Sequence, residues 1–345
     1  MASLSSIFSG LARSLSAKKS RIGSNEGRSR EVADAIMKEA KKNELVRKSS
    51  GFVNLKGSDN FASTYSKRGE KGINQDRFIV WEEFGFQSDM MFCGVFDGHG
   101  SWGHIVAKRV RDTIPSSILC CWQEKLGLHS DKESSDKLWE TSHLVACAAV
   151  DRELQKLRGI DSYTSGTTSL TMIRQGDDVV LANVGDSRAV LGTMMDDGTM
   201  AAVQLTVDFK PDLPQEAARI AELNGRVFCL DDEPGLQRMW LPDKESPGLA
   251  MSRAFGDYCV KDYGVISKPE MSYRKIGRQD KFVILATDGV WDVLSNDEAV
   301  QIVAAAEKEK AAKRLVQYAT VQWKKKRRGI AMDDMSAVCV FFHNK

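Results

Sequence analysis

No apolar run in the chain approaches the ~18 residues of a membrane-spanning helix, so a membrane-embedded enzyme is not expected. No C-x-x-C pair occurs either. The seven cysteines (Cys93, Cys120, Cys121, Cys147, Cys229, Cys259, Cys339) are scattered and odd in number. This argues against a zinc site and a disulfide framework and for a reducing compartment. Neither sign of charge dominates: 49 Lys and Arg against 47 Asp and Glu leave a formal net charge of +2, too small to argue for nucleic acid as a partner. Glycine is missing from position 2, where Ala2 stands, so N-myristoylation is not expected. What remains has the composition of a soluble globular protein, 345 residues long and 42% apolar, expected inside the cell in cytoplasm or nucleus.

Residues 1–50 differ from the rest and are read as a basic, Ser-rich tail ahead of a domain spanning 51–345. The first thirty carry Arg13, Lys18, Lys19, Arg21, Arg28 and Arg30 against the single acid Glu26. Leu4, Ile7, Phe8, Leu11 and Leu15 fall on one helical face. Three readings fit: a short amphipathic helix making peripheral contact with an anionic plasma-membrane surface through residues 1–20, an organelle transit peptide, or a disordered tail.

The informative pattern in the domain is acidic residues at strand ends. The apolar run Met91 to Phe96 reads as a buried strand that stops at Asp97, followed by Gly98-His99-Gly100. Phe282 to Thr287 repeats it and stops at Asp288-Gly289. Val179 to Gly185 stops at Asp186, and Asp333-Asp334 precedes the run Val338 to Phe342. Asp76 sits in the strand-like stretch 73–81. Carboxylates delivered by strand ends are what hard divalent cations need, since Mg²⁺ and Mn²⁺ prefer oxygen ligands. An Asp-Gly pair alone is only a turn. Two copies, each closing an apolar strand, suggest glycines that let a backbone carbonyl approach a ligand.

Helical spacing is expected over 103–126, 138–157, 211–223 and 311–325, and Ser295 with Glu298 predicts a capping box opening a helix. Residues 229–248, with three prolines, read as a polar loop. Strands come in runs and helices in pairs, without regular βαβ alternation, so the class is α+β with antiparallel sheets.

Six motifs in order carry a family resemblance: Phe96-Asp97-Gly98-His99-Gly100, Ser165-Gly166-Thr167-Thr168, Asn183 to Arg188, Ala250 to Asp257, Ala286 to Asp292, and Asp333-Asp334-Met335-Ser336. Together they resemble the plant type-2C metal-dependent protein serine/threonine phosphatases over roughly residues 60–342. The resemblance implies a four-layer αββα sandwich, two antiparallel β-sheets flanked by helix pairs, acting as a monomer on phosphoproteins, kinases among the candidates. It implies two Mn²⁺ or Mg²⁺ ions, with Asp97 bridging both, the Gly98 carbonyl on one, and Asp288 and Asp333 on the other. Asp186 and Asp257 resemble the ligands of a weaker third ion. Asp76 stands where an acid orients the attacking water, His99 where a general acid stands, and Lys71, with Arg68 nearby, where a cation binds the substrate phosphate.

Those roles suit the chemistry, because a phosphomonoester dianion repels hydroxide and an alkoxide leaves poorly. Divalent cations answer the first problem and a proton donor of near-neutral pKa the second. Gln75 stands where many members have glutamate, a departure that removes a charge beside the ions. Phe228-Cys229-Leu230 replaces the tryptophan-bearing stretch of hormone-receptor-binding plant members, so abscisic-acid receptor binding is not implied. Residues 226–248 occupy the place of a variable flap that selects substrates. Lys324-Lys325-Lys326-Arg327-Arg328 reads either as a helix C-terminus or as a nuclear localisation signal. The rival functions are a pseudophosphatase that captures phosphoproteins without turnover and a hydrolase of small phosphate esters.

Overall fold

The apolar runs that read as strands are buried on both faces, and this sets the layering. The computed structural model describes residues 52–53, 61–128, 134–231, 233 and 235–342. The strands of its two main sheets are, in chain order, β1 (Phe52–Val53), β2 (Phe61–Lys67), β3 (Arg77–Glu82), β4 (Met90–Phe96), β5 (Ser169–Gln175), β6 (Asp178–Val184), β7 (Arg188–Met194), β8 (Met200–Gln204), β9 (Glu270–Lys275), β10 (Asp280–Ala286) and β11 (Met335–Phe341). One sheet runs β1-β3-β4-β5-β6-β9 and the other β8-β7-β10-β11-β2. All neighbours are antiparallel except the short parallel pairing of β1 with β3.

Alternation along each strand divides its side chains between two layers. On β4, Met91, Cys93 and Val95 point between the sheets and meet Val283 and Leu285 of β10 and Val338 and Val340 of β11. Phe92 and Phe96 point outward, against helices α1 (Gly103–Leu128) and α2 (Ser135–Lys156). Likewise Phe282, Ile284 and Ala286 of β10 face the opposite helix pair. After α3 (Pro214–Glu222), that pair is α4 (Asn296–Ala304) and α5 (Ala311–Lys326). Each fully buried aliphatic or aromatic side chain stabilises the layers by about 1.5–3 kcal/mol. The expected αββα sandwich is what forms. The capping box forms as well: Glu298 N donates to Ser295 Oγ at 3.1 Å, and Ser295 N donates to Glu298 Oε2 at 2.8 Å.

One expectation fails. Residues 229–248 are not simply a loop, because Arg226–Phe228, Arg238–Trp240 and Pro247–Leu249 form a small antiparallel sheet of their own. Its anchor is Trp240, which is buried, stacks on Phe228 at 5.2 Å and donates through Nε1 to the Phe228 carbonyl at 3.0 Å. The tail 1–50 lies outside the described residues.

Candidate active site

Strand register brings the acids to one end of the sandwich. Arg77 pairs with Phe96, so Asp76, just before β3, lies beside Asp97, just after β4. Ala286 pairs with both Ala337 and Arg188. Asp288 after β10 therefore shares an end with Asp333 before β11 and Asp186 before β7.

The electrostatics show how closely they meet. Burial pushes Asp97 well above the usual carboxylate range, and the charges of Asp288, Asp76 and Asp333 push it further. Asp288 is raised in the same way, by burial first, then by Asp333 and Asp186, with Lys210 opposing. Burial pushes Asp76 up to about 7 against hydrogen bonds from Ser336 and Thr287. Thr287 Oγ1 donates to Asp76 Oδ2 at 2.9 Å, while Asp76 Oδ1 is buried without a partner. Asp186 Oδ1 is also buried and unpartnered, its Oδ2 being held by Lys210. Like charges packed into one buried site disfavour ionisation until a cation joins them.

Cations already meet part of this need. Lys71 Nζ lies 2.5 Å from Asp333 Oδ2. Its pKa is raised: burial works against the ammonium, but Asp333 outweighs it, with Asp288 and Asp97 adding. Arg68 is exposed on the same turn. Among the described residues, no three His, Cys, Asp or Glu side chains converge into a finished ligand set. Asp333 is turned to Lys71. An oxygen-only donor set with mutual repulsion and two orphaned carboxylate oxygens fits hard divalent cations such as Mg²⁺ and Mn²⁺.

His99 stands beside this cluster. Its Nε2 is 2.6 Å from Asp257 Oδ2, and its Nδ1 is buried without a partner. Burial lowers its pKa, yet the charge and hydrogen bond of Asp257, with Asp186 beyond, leave it raised overall. Asp257 thus stands with His99, and Asp186 with Lys210 and Asp288.

Three more residues build the site: Lys210, which the sequence did not single out, and Asp334 and Thr287, which it placed in motifs without a role. Lys210 neutralises Asp186 and is itself raised, burial being outweighed by Asp186 and Asp288. Asp334 accepts from the backbone N–H of Gly69 and of Gln75, both at 2.7 Å, so it fixes the turn that carries Lys71. Thr287 joins Asp76 to β11, accepting from Ser336 N at 3.0 Å. Packing by itself also demands the glycines after the two aspartates. A Cβ on Gly98 would lie 2.5 Å from Gly103 O, and one on Gly289 1.9 Å from Asp334 O. The Gly289 carbonyl already accepts from Trp323 Nε1 at 2.6 Å.

A sandwich of this topology, with carboxylates converging at one end and a histidine beside them, is arranged as an oxygen-donor site for hard divalent cations. Residues 69–327 match the family model for Protein phosphatase 2C. The whole chain is 59% identical to "Probable protein phosphatase 2C 34" of Arabidopsis thaliana, covering 98% of that protein. It is 56% identical to "Probable protein phosphatase 2C 48" of Oryza sativa subsp. japonica, with 100% of this chain and 99% of that protein aligned. Among solved structures, a serine-threonine phosphatase 2C from Toxoplasma gondii superposes with a TM-score of 0.74 at 28% identity, over 83% of this chain and 96% of that one. The chain belongs to the protein phosphatase 2C family, and it is a protein serine/threonine phosphatase of the plant type.

Proposed function

We propose that the chain hydrolyses phosphoserine and phosphothreonine in proteins with two Mn²⁺ or Mg²⁺ ions and with His99 as proton donor. One observation carries the reading: strand register brings Asp76, Asp97, Asp288, Asp333 and Asp186 to one end of the sandwich, where Asp76 and Asp186 each keep a buried carboxylate oxygen without a partner. Asp97 would hold both ions, the Gly98 carbonyl one, and Asp288 and Asp333 the other; Asp186 and Asp257 would serve a weaker third. When bound, the ions supply Lewis acidity toward phosphoryl oxygens and make water a nucleophile near neutral pH.

The remaining work belongs to the chain. The Lys71 ammonium is exposed toward solvent and offers charge to a phosphate once it exchanges Asp333 for the substrate. The free Oδ1 of Asp76 orients water, while Thr287 fixes Oδ2. Asp257 holds His99 Nε2, which leaves Nδ1 to protonate the departing serine or threonine oxygen. A positioned acid of this kind contributes roughly 10²–10⁴-fold.

The test is phosphate release from a phosphothreonine peptide with Mn²⁺, with Mg²⁺ and with chelator, in the wild type and His99→Asn. Metal-dependent turnover that falls by about 10²-fold or more in the variant is expected. Turnover indifferent to chelator would sink the reading, and no turnover by folded wild type at millimolar metal would favour phosphoprotein capture instead.

We also propose an intracellular enzyme, in cytoplasm or nucleus, with peripheral membrane contact through residues 1–20, on the basis of the basic charge and apolar spacing of that segment. Co-sedimentation with anionic vesicles should be lost on deleting those residues; unchanged binding contradicts it.

A further inference from the structure

Helix α5 buries one face and, among the described residues, leaves much of the other exposed. Leu315, Val316, Ala319 and Trp323 pack against β2 and β11. On the outer face Tyr318 and Val321 are 44% and 49% exposed, three residues apart and therefore side by side. Single exposed apolar residues need no explanation. These two, however, line a concavity of about 710 Å³ between α5 and the segment 305–310 that leads into it.

The groove is basic. Lys313, Arg314 and Lys325 line it, and none pairs with a carboxylate among the described residues. Its acid, Glu307, is taken by Lys310 at 2.7 Å. The Arg314 guanidinium lies 5.9 Å from the Tyr318 ring, which leaves cation and aromatic ring presented together. By contrast, part of the neighbouring basic run is used by the fold: Lys326 donates to Val293 O at 2.8 Å, and Arg327 faces Asp292 at 3.6 Å.

We propose that this outer face of α5 is a docking groove for an acidic peptide segment with an apolar anchor, supplied by a protein partner. Charge selects that occupant. The chain's own residues 1–30 carry six Arg and Lys against one Glu and would be repelled, as would the same face of a second copy. A concave cleft with apolar contacts in a basic surround suits a peptide that brings carboxylates and one or two buried side chains. The position also favours a substrate-bearing partner, because α5 reaches the catalytic end through the Trp323 hydrogen bond to Gly289.

The experiment is fluorescence anisotropy on the full chain. The probe is a short fluorescein-labelled peptide of Asp and Glu carrying one Leu and one Phe. Controls are the same peptide with Lys for each acid, a neutral peptide of equal apolar content, and phosphatidylserine vesicles. The acidic probe should bind, weaken with added salt, and lose about tenfold or more in affinity with Lys313→Glu/Arg314→Glu and with Tyr318→Ala. Hydrolysis of p-nitrophenyl phosphate should be unchanged in these variants, which separates failure of the groove from failure of the enzyme. Equal binding by the neutral peptide, unchanged affinity in the variants, or retention on vesicles without peptide binding would each overturn the proposal.

Discussion

Residue by residue, this site is an exercise in holding like charges together. Asp97, Asp288 and Asp76 gather where desolvation and mutual repulsion disfavour ionisation, and Lys71, Lys210, Thr287 and Ser336 offset part of that cost. The same physics acts away from the site on His143, buried in α2 with Nδ1 2.8 Å from the Trp139 carbonyl. Burial lowers its pKa to about 4, the carbonyl hydrogen bond opposing only in part. Between the ordinary histidine value of ~6.5 and 4, the unfolded chain takes up a proton that the folded chain refuses. Stability from this residue is therefore complete above that range and falls with decreasing pH, by at most about 1.4 kcal/mol per pH unit. Thermal midpoints measured from pH 7 to pH 4 should fall less steeply in His143→Gln than in wild type; parallel curves would show that other groups govern acid unfolding.

Among the elements, those with a local signal were legible in sequence. β4 and β10 announced themselves as apolar runs ending in aspartate, and Ser295 with Glu298 marked the start of α4. Ser295→Ala removes one side of that box and should lower stability by about 1 kcal/mol, read by chemical denaturation without change in activity. A loss near zero would mean that water replaces the cap. The small sheet over 226–249 was not legible, because its strands are three residues each, too short for a period, and the segment between them is rich in proline and charge. What holds it is side-chain contact within the segment, which no period encodes: the Phe228–Trp240 stack and Arg238 on Glu233 at 2.7 Å. Glu233 feels the charge of Lys71 as well as its hydrogen bond to Arg238, so this sheet reaches toward the catalytic end.

At the scale of the molecule, two sheets packed face to face deliver strand ends from both layers to one place, and no single element carries the site. The acids were legible because each follows or precedes a strand. Their partners were not: Lys210 meets Asp186 across 24 positions and Asp334 meets Gln75 across 259, pairings that no local pattern encodes. The glycine of Asp288-Gly289 has a cause that was not legible either, since backbone crowding by Asp334 demands it by itself. The central claim is that this convergence is a divalent-cation site, and calorimetric titration of Mn²⁺ into the full chain addresses it without relying on turnover. The account predicts saturable binding in wild type, released by chelator, and weakened by at least about tenfold in Asp288→Asn. Equal binding by the two proteins, or none by folded wild type at millimolar Mn²⁺, would contradict it.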